Sequence, residues 1–354
     1  MFRSDTQKQI RLGINGFGRI GRALTRKLFE NSNPNLKLVV VNDLESDLNN
    51  LAYLLKHDSV YGRFPTEVAV EGSHLYVRDN KIDFYSRANT LEVPWEKFDV
   101  DVIIESSGVK QNILDSKFLI KDKRTRKIVV TNADSSVDQT IVFGVNNESY
   151  SESHHDIISS SICDANAIAP VLFYLDRSIG IKSALITTLH PWLAYQNLLD
   201  GPLSSVSSPG HNWSEYALGR SSVGNLILKD TTAGDATLKV LPELQGKIEA
   251  ISFRVPTNNV SASDFAINLS SNSTLNEIFE VFSEASVRFP EVIAINRDSL
   301  VSSDFTGISQ SCVIDFTKAK LLNGNFLKIV SWYDNEWAYS SRVLDVVNLV
   351  AEAT

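Results

Sequence analysis

The segment Gly16-Phe17-Gly18-Arg19-Ile20-Gly21 constrains this chain more than any other stretch. A GxGxxG spacing alone means little. Here it follows an apolar strand pattern, Ile10 to Ile14. It opens a segment, Arg19 to Glu30, in which Ile20, Leu24 and Leu28 recur at helical spacing. A strand, a tight turn and a helix N-terminus in that order make an anion site, because the first helical N–H groups are unpaired and carry partial positive charge. The first glycine makes the turn, the second lets the backbone approach a pyrophosphate, and the third lets the helix pack closely. The apolar run Leu36 to Val41 reads as a second parallel strand. Asp43 closes it, 43 − 21 = 22 residues after the last glycine. A carboxylate there would hold ribose hydroxyls and repel a 2′-phosphate, so NAD is expected rather than NADP.

The 354 residues favour two domains. With 43% hydrophobic and 21% charged residues, the composition excludes a disordered chain, a collagen and a coiled coil. The net charge of −8 argues against general nucleic-acid binding. Because no window is long and apolar enough to span a bilayer, no membrane association is expected, and the polar first residues do not resemble a secretory signal. Two cysteines far apart, Cys163 and Cys312, suit a reducing, cytoplasmic setting. Cys312 reads as a core residue of an alternating strand, and the basic run Lys121 to Lys127 as a solvated loop.

Apolar runs at Val100 to Glu105 and Lys127 to Thr131 repeat the parallel-strand character, while residues 64 to 95 alternate and suggest antiparallel hairpins. After residue 162 the texture changes. Ala165 to Leu175 is helix-like despite Pro170, Ala184 to Leu189 is strand-like, and 200 to 218 reads as a long loop. Alternation at Lys247 to Arg254, Ser261 to Leu269 and Leu327 to Trp332 suggests a large antiparallel sheet. Glu336 to Ala353 reads as an amphipathic helix. The expected fold is α/β. A Rossmann-type doubly wound cofactor domain spans 1–162, completed by a helix at 336–354, and an α+β catalytic domain spans 163–335.

Cys163 stands at the mouth of the helix-like stretch, in Ser160-Ser161-Ile162-Cys163-Asp164-Ala165-Asn166. A helix N-terminus favours a thiolate. His190 ends an apolar strand before Pro191. A cysteine and a histidine far apart in sequence are a candidate nucleophile–base pair, although spacing alone does not prove it.

With these residues in view, the chain resembles the phosphorylating glyceraldehyde-3-phosphate dehydrogenase family over nearly its whole length. The likeness rests on Gly13 to Arg22, Val41-Asn42-Asp43-Leu44, His57 to Phe64, Val240-Leu241-Pro242-Glu243-Leu244, Arg254-Val255-Pro256-Thr257 and Ser331 to Trp337. The separation 190 − 163 = 27 fits the family's catalytic pair. The resemblance implies NAD-dependent oxidation of an aldehyde, most simply glyceraldehyde 3-phosphate, in a homotetramer. Cys163 would be the nucleophile, passing through a hemithioacetal and a thioester, and His190 its base. Gly16, Phe17, Gly18, Arg19, Ile20, Gly21 and Asp43 would cradle NAD. Arg87 and Ser107 would lie around the adenine and the nicotinamide ribose side. Asn335 would hold the carboxamide, with Tyr339 beside the ring. Arg254 and Thr231 would bind phosphate groups. No metal site is expected.

The chain also departs from the family. The usual Ser-Cys-Thr-Thr-Asn-Cys is Ile162-Cys163-Asp164-Ala165-Asn166-Ala167, which removes two hydroxyl donors for inorganic phosphate and adds an acid. The His-x-x-Thr pattern becomes His190-Pro191-Trp192-Leu193, and Ser-Thr-Gly becomes Asp230-Thr231-Thr232 after Lys229. The 200–218 loop is enlarged. Like charges about 5 Å apart cost roughly 3 kcal/mol at an effective dielectric near 20, so Asp164 would oppose a phosphate unless it faces solvent or Lys229 turns inward. Asp164 would also raise the pKa of Cys163. Three readings stay open. One is a glyceraldehyde-3-phosphate dehydrogenase with a remodelled phosphate site. Another is a hydrolytic dehydrogenase for another aldehyde such as erythrose 4-phosphate, with Asp164 orienting water. The third is a non-catalytic NAD-binding paralogue.

Overall fold

The computed structural model describes residues 9–30, 34–202 and 215–352. They pack as two units. One comprises residues up to 141, 147–161 and the C-terminal residues from 340; the other comprises 142–146 and 162–339.

The first unit is built on a nine-stranded sheet. Its parallel centre runs Ile157–Ser159, Lys127–Val130, Val102–Glu105, Ile10–Asn15, Leu36–Asn42. These strands are buried almost throughout, which is why they read as continuous apolar runs. The helix Arg19–Glu30 follows the first strand and buries Ala23, Leu24 and Leu28. The alternating region forms the antiparallel strands Val68–Glu71, His74–Val77 and Asn80–Tyr85. The last pairs parallel to Leu36–Asn42, so the hairpins extend the same sheet at its edge.

The basic run is only partly solvated. Lys127 begins a central strand, and its side chain is 5% exposed. Its ammonium donates to the carbonyls of Glu152 and His155 and to Asp156 Oδ1, at 2.6, 2.9 and 2.9 Å. A buried ammonium is tolerated when its donors are spent in this way. Charge density alone does not reveal such a partner set.

The second unit holds a seven-stranded sheet in the order Ile227–Lys229, Ile248–Val255, Ile181–Pro191, Ser261–Leu269, Phe326–Tyr333, Cys312–Leu322, Ile293–Asn296. It is mixed rather than wholly antiparallel. Ile181–Pro191 runs parallel to Ile248–Val255, and Ile293–Asn296 parallel to Cys312–Leu322. Alternation tells which face a residue occupies, not the direction of its neighbour. The long connection between Pro191 and Ile248, which includes the helix Ala233–Leu238, is what allows the parallel return. The helix Cys163–Ser178 runs through Pro170 and packs Ile168, Val171, Leu172 and Leu175 into a core with Ile186, Phe265, Ile267 and Ile329. Cys312 is fully buried in that core. The C-terminal helix is Trp337–Glu352. Residues 203–214, most of the expected loop, lie outside the described residues; Tyr216–Gly219 forms a short 3-10 helix. Among the described residues no helix is long and apolar enough to cross a membrane.

Candidate active site

The dinucleotide turn answers directly to its glycines. Gly16 has φ +96°, and a Cβ there would lie 2.5 Å from the Ser107 backbone. At Gly21 a Cβ would lie 2.2 Å from the Gly16 carbonyl oxygen. Gly18 is exposed with nothing within 4 Å, as a backbone approached by a pyrophosphate requires. The Phe17 N–H donates to Asp43 Oδ2 at 2.5 Å, and the Glu45 N–H donates to Oδ1 at 2.9 Å. These bonds pin the carboxylate beside the turn, and a carboxylate has lone pairs left for ribose hydroxyls. The residues therefore fit NAD. Arg19 pairs with Asp58 at 2.5 Å. Arg87 is exposed, and Ile20 is half-buried in the first turn of the helix.

A buried polar relay beneath this turn was not singled out from sequence. The Arg87 N–H donates to Asn42 Oδ1, Asn42 Nδ2 donates to Asn15 Oδ1, and Asn15 Nδ2 donates to Glu105 Oε2, at 2.9, 2.7 and 2.5 Å. Ser107 donates its N–H and its hydroxyl to Glu105 Oε1. Burial pushes Glu105 up to about 7 against these bonds. A signal was available, because three adjacent parallel strands each end on one of these polar residues in register, Asn42, Asn15 and Glu105.

In the second unit, Ile162 precedes the helix that Cys163 begins, and it offers no side-chain cap. The parallel register sets His190 beside Arg254, and both are buried. The three ionisable groups at the helix mouth converge. Cys163 Sγ lies 3.4 Å from Asp164 Oδ1 and 3.7 Å from His190 Nε2, and His190 Nε2 lies 4.0 Å from Asp164 Oδ1. His190 Nδ1 sits 2.8 Å from the Pro191 carbonyl, which can only accept. Nδ1 therefore carries the proton, and Nε2 presents its lone pair to the thiol. Asp164 is buried, and Tyr333 donates its hydroxyl to Asp164 Oδ1 at 2.8 Å. The solvent-facing alternative for Asp164 is thereby excluded.

Burial pushes the Cys163 thiol well above its ordinary range; Asp164 adds to this and Arg254 opposes it. Burial and Arg254 pull His190 down to about 4, against Asp164. The resting pair at neutral pH is a neutral thiol facing a neutral imidazole. Cys163 stays partly exposed, so a substrate can reach it.

Arg254 donates through Nη2 to Tyr195 Oη at 3.2 Å, while its buried Nε has no partner among the described residues. That leaves part of the guanidinium fork for an anion. Lys229 is lowered by burial and Arg254, and its ammonium bonds to the Asp230 carbonyl; Asp230 itself is exposed. The Thr231 hydroxyl accepts from the Ala233 N–H at 3.2 Å, which leaves its own O–H to donate. Asn335 is buried, and Ser261 donates to its Oδ1 at 3.3 Å. Tyr339 is buried in the first turn of the C-terminal helix.

Comparison with known proteins matches residues 10–113 to the glyceraldehyde 3-phosphate dehydrogenase NAD binding domain and residues 162–335 to the C-terminal domain of the same enzymes. The chain belongs to the glyceraldehyde-3-phosphate dehydrogenase family. It is 39% identical to glyceraldehyde-3-phosphate dehydrogenase 3 of Saccharomyces cerevisiae, over 97% of this chain and 100% of that one. It is 38% identical to the Bacteroides fragilis enzyme, over 97% and 99%. It is 36% identical to glyceraldehyde-3-phosphate dehydrogenase B of Aspergillus oryzae, over 96% and 98%. Of the residues in which the sequence motifs differ from the resembled pattern, Asp164 is the one the geometry puts against the cysteine.

Proposed function

We propose that this chain oxidises the aldehyde of glyceraldehyde 3-phosphate with NAD, using Cys163 as nucleophile and His190 as base. The carrying observation is the 3.7 Å approach of Cys163 Sγ to the unprotonated Nε2 of His190 in a chain of this family. As Sγ bonds to the aldehyde carbon, the thiol proton passes to Nε2 and from there to the carbonyl oxygen, which gives a hemithioacetal and leaves Nε2 unprotonated again. His190 then takes the hydroxyl proton as the carbon gives up hydride, leaving a thioester on Cys163. NAD, when bound, supplies the hydride acceptor. Sulfur suits both steps, being a strong nucleophile and a good leaving group. Arg254 would hold the substrate phosphate, and Asn335 the carboxamide of the cofactor.

Two nucleophiles can release the thioester. Inorganic phosphate is the simpler proposal from the family. Water is the second reading, favoured by the buried carboxylate of Asp164 3.4 Å from the sulfur, where it could accept a proton from attacking water. NAD reduction with glyceraldehyde 3-phosphate, titrating phosphate from zero with Cys163→Ser as the blank, separates them. Saturable dependence on phosphate supports phosphorolysis, and independence supports hydrolysis. No turnover would refute the substrate assignment.

A cytosolic homotetramer is the assembly we favour. The outward face of the seven-stranded sheet exposes Leu185, Leu189, Leu228 and Ile251 on three adjacent strands. A contiguous apolar face of this kind supports self-association. Light scattering should give a four-chain mass, and a monomer would refute it.

A further inference from the structure

The convergence of Cys163 Sγ, Asp164 Oδ1 and His190 Nε2 has a second chemical meaning. We propose that these three atoms form a binding site for a borderline-soft divalent cation, zinc above all, that reversibly caps the nucleophile. Around a tetrahedral zinc with bonds of about 2.3 Å to sulfur and about 2.0–2.2 Å to nitrogen and oxygen, ligand atoms stand about 3.4–3.6 Å apart. The observed separations are 3.4, 3.7 and 4.0 Å, so the two contacts to sulfur are already close to this geometry and the nitrogen–oxygen pair must close by about half an ångström.

The ligand chemistry agrees. One sulfur, one imidazole nitrogen and one carboxylate oxygen suit zinc, and disfavour magnesium and calcium, which want oxygen alone. The Pro191 carbonyl accepts the Nδ1 proton of His190 at 2.8 Å, the outer hydrogen bond that orients a metal-binding histidine. Tyr333 donates to the same Asp164 Oδ1 at 2.8 Å, a further outer hydrogen bond. Binding displaces the Cys163 proton to solvent, so thiolate, carboxylate and dication sum to zero charge. This removes the cost of two buried anions side by side. Arg254 opposes a cation and sets the limit on affinity. Three protein ligands leave a fourth position for water, as in an open zinc site. Sequence spacing does not reveal the set, because Cys163 and Asp164 are neighbours at a helix start and His190 arrives from a strand.

Equilibrium dialysis of the full-length protein against buffered zinc, read by elemental analysis, tests this independently of dehydrogenase activity. One zinc per chain is expected at micromolar free zinc, with magnesium failing to compete. Asp164→Asn should weaken binding by more than the roughly 10–100-fold that loss of a supporting partner costs. Cobalt loaded into the unaltered protein should give thiolate charge-transfer absorption and a tetrahedral spectrum, which needs no variant to fold. No bound zinc, cobalt without thiolate absorption, or full retention of zinc by Asp164→Asn would each overturn the proposal.

Discussion

The thiol of Cys163 carries the most consequence per atom. Desolvation and the Asp164 carboxylate both favour its protonated form, so the free protein should react slowly with iodoacetamide at pH 7. The rate should climb about tenfold per pH unit until the thiol ionises, since only the thiolate attacks. Asp164→Asn removes one of the two opposing effects. It should speed alkylation several-fold at pH 7–8, and an unchanged or slower rate would show that the carboxylate does not act on the sulfur. Cys163, His190 and Arg254 were legible as types because their motifs stand in sequence. The consequence of Asp164 was legible only in part. Its charge is in the sequence, but its burial depends on Tyr333, 169 residues away.

At the scale of elements, the start of the helix Trp337–Glu352 depends on one side chain. Asp334 is fully buried. Its Oδ1 accepts the N–H groups of Glu336 and Trp337 at 3.0 and 2.8 Å, and its Oδ2 accepts Gly307 N–H and Asn259 Nδ2 at 2.8 and 2.7 Å. The cap therefore also fixes Asn335, the residue that would meet the carboxamide. Asp334→Ala should cost about 3 kcal/mol, combining a lost cap with buried donors left unpaired, and should raise KM for NAD. Thermal unfolding and NADH kinetics would check both effects, and a variant of unchanged stability would contradict the capping account. The helix and its neighbours were readable because apolar periodicity is a local property. The two parallel pairings in the seven-stranded sheet were not, because strand direction is set by connections rather than by alternation. Those pairings matter, since one of them sets His190 beside Arg254.

For the whole molecule, the polar relay under the dinucleotide turn ties pH to stability. Burial raises the pKa of Glu105 to about 7 from an ordinary 4.5. The folded state thus holds a proton that the unfolded chain releases between those values. This contribution, about 3 kcal/mol, is present below pH 4.5 and is lost as pH rises through about 7. Glu105→Gln places an amide donor among donors and should lower the melting temperature at pH 5. Because it removes the titration, the gap to the unaltered protein should narrow toward pH 8. A constant gap would show that Glu105 does not titrate in that range. The cofactor was visible in the sequence through the glycine fingerprint and Asp43. The relay escaped notice because each member reads singly as a strand end.

The central claim is that oxidation passes through a thioester on Cys163, and a single-turnover experiment tests it most directly. Glyceraldehyde 3-phosphate and NAD are mixed with the protein without phosphate, NADH is followed in the first turnover, and the quenched protein is mapped by mass. A burst of one NADH per chain, with the acyl mass on Cys163, is the expected result. A burst of NADH with no acyl group on Cys163, or an acyl group on any other residue, would contradict the account.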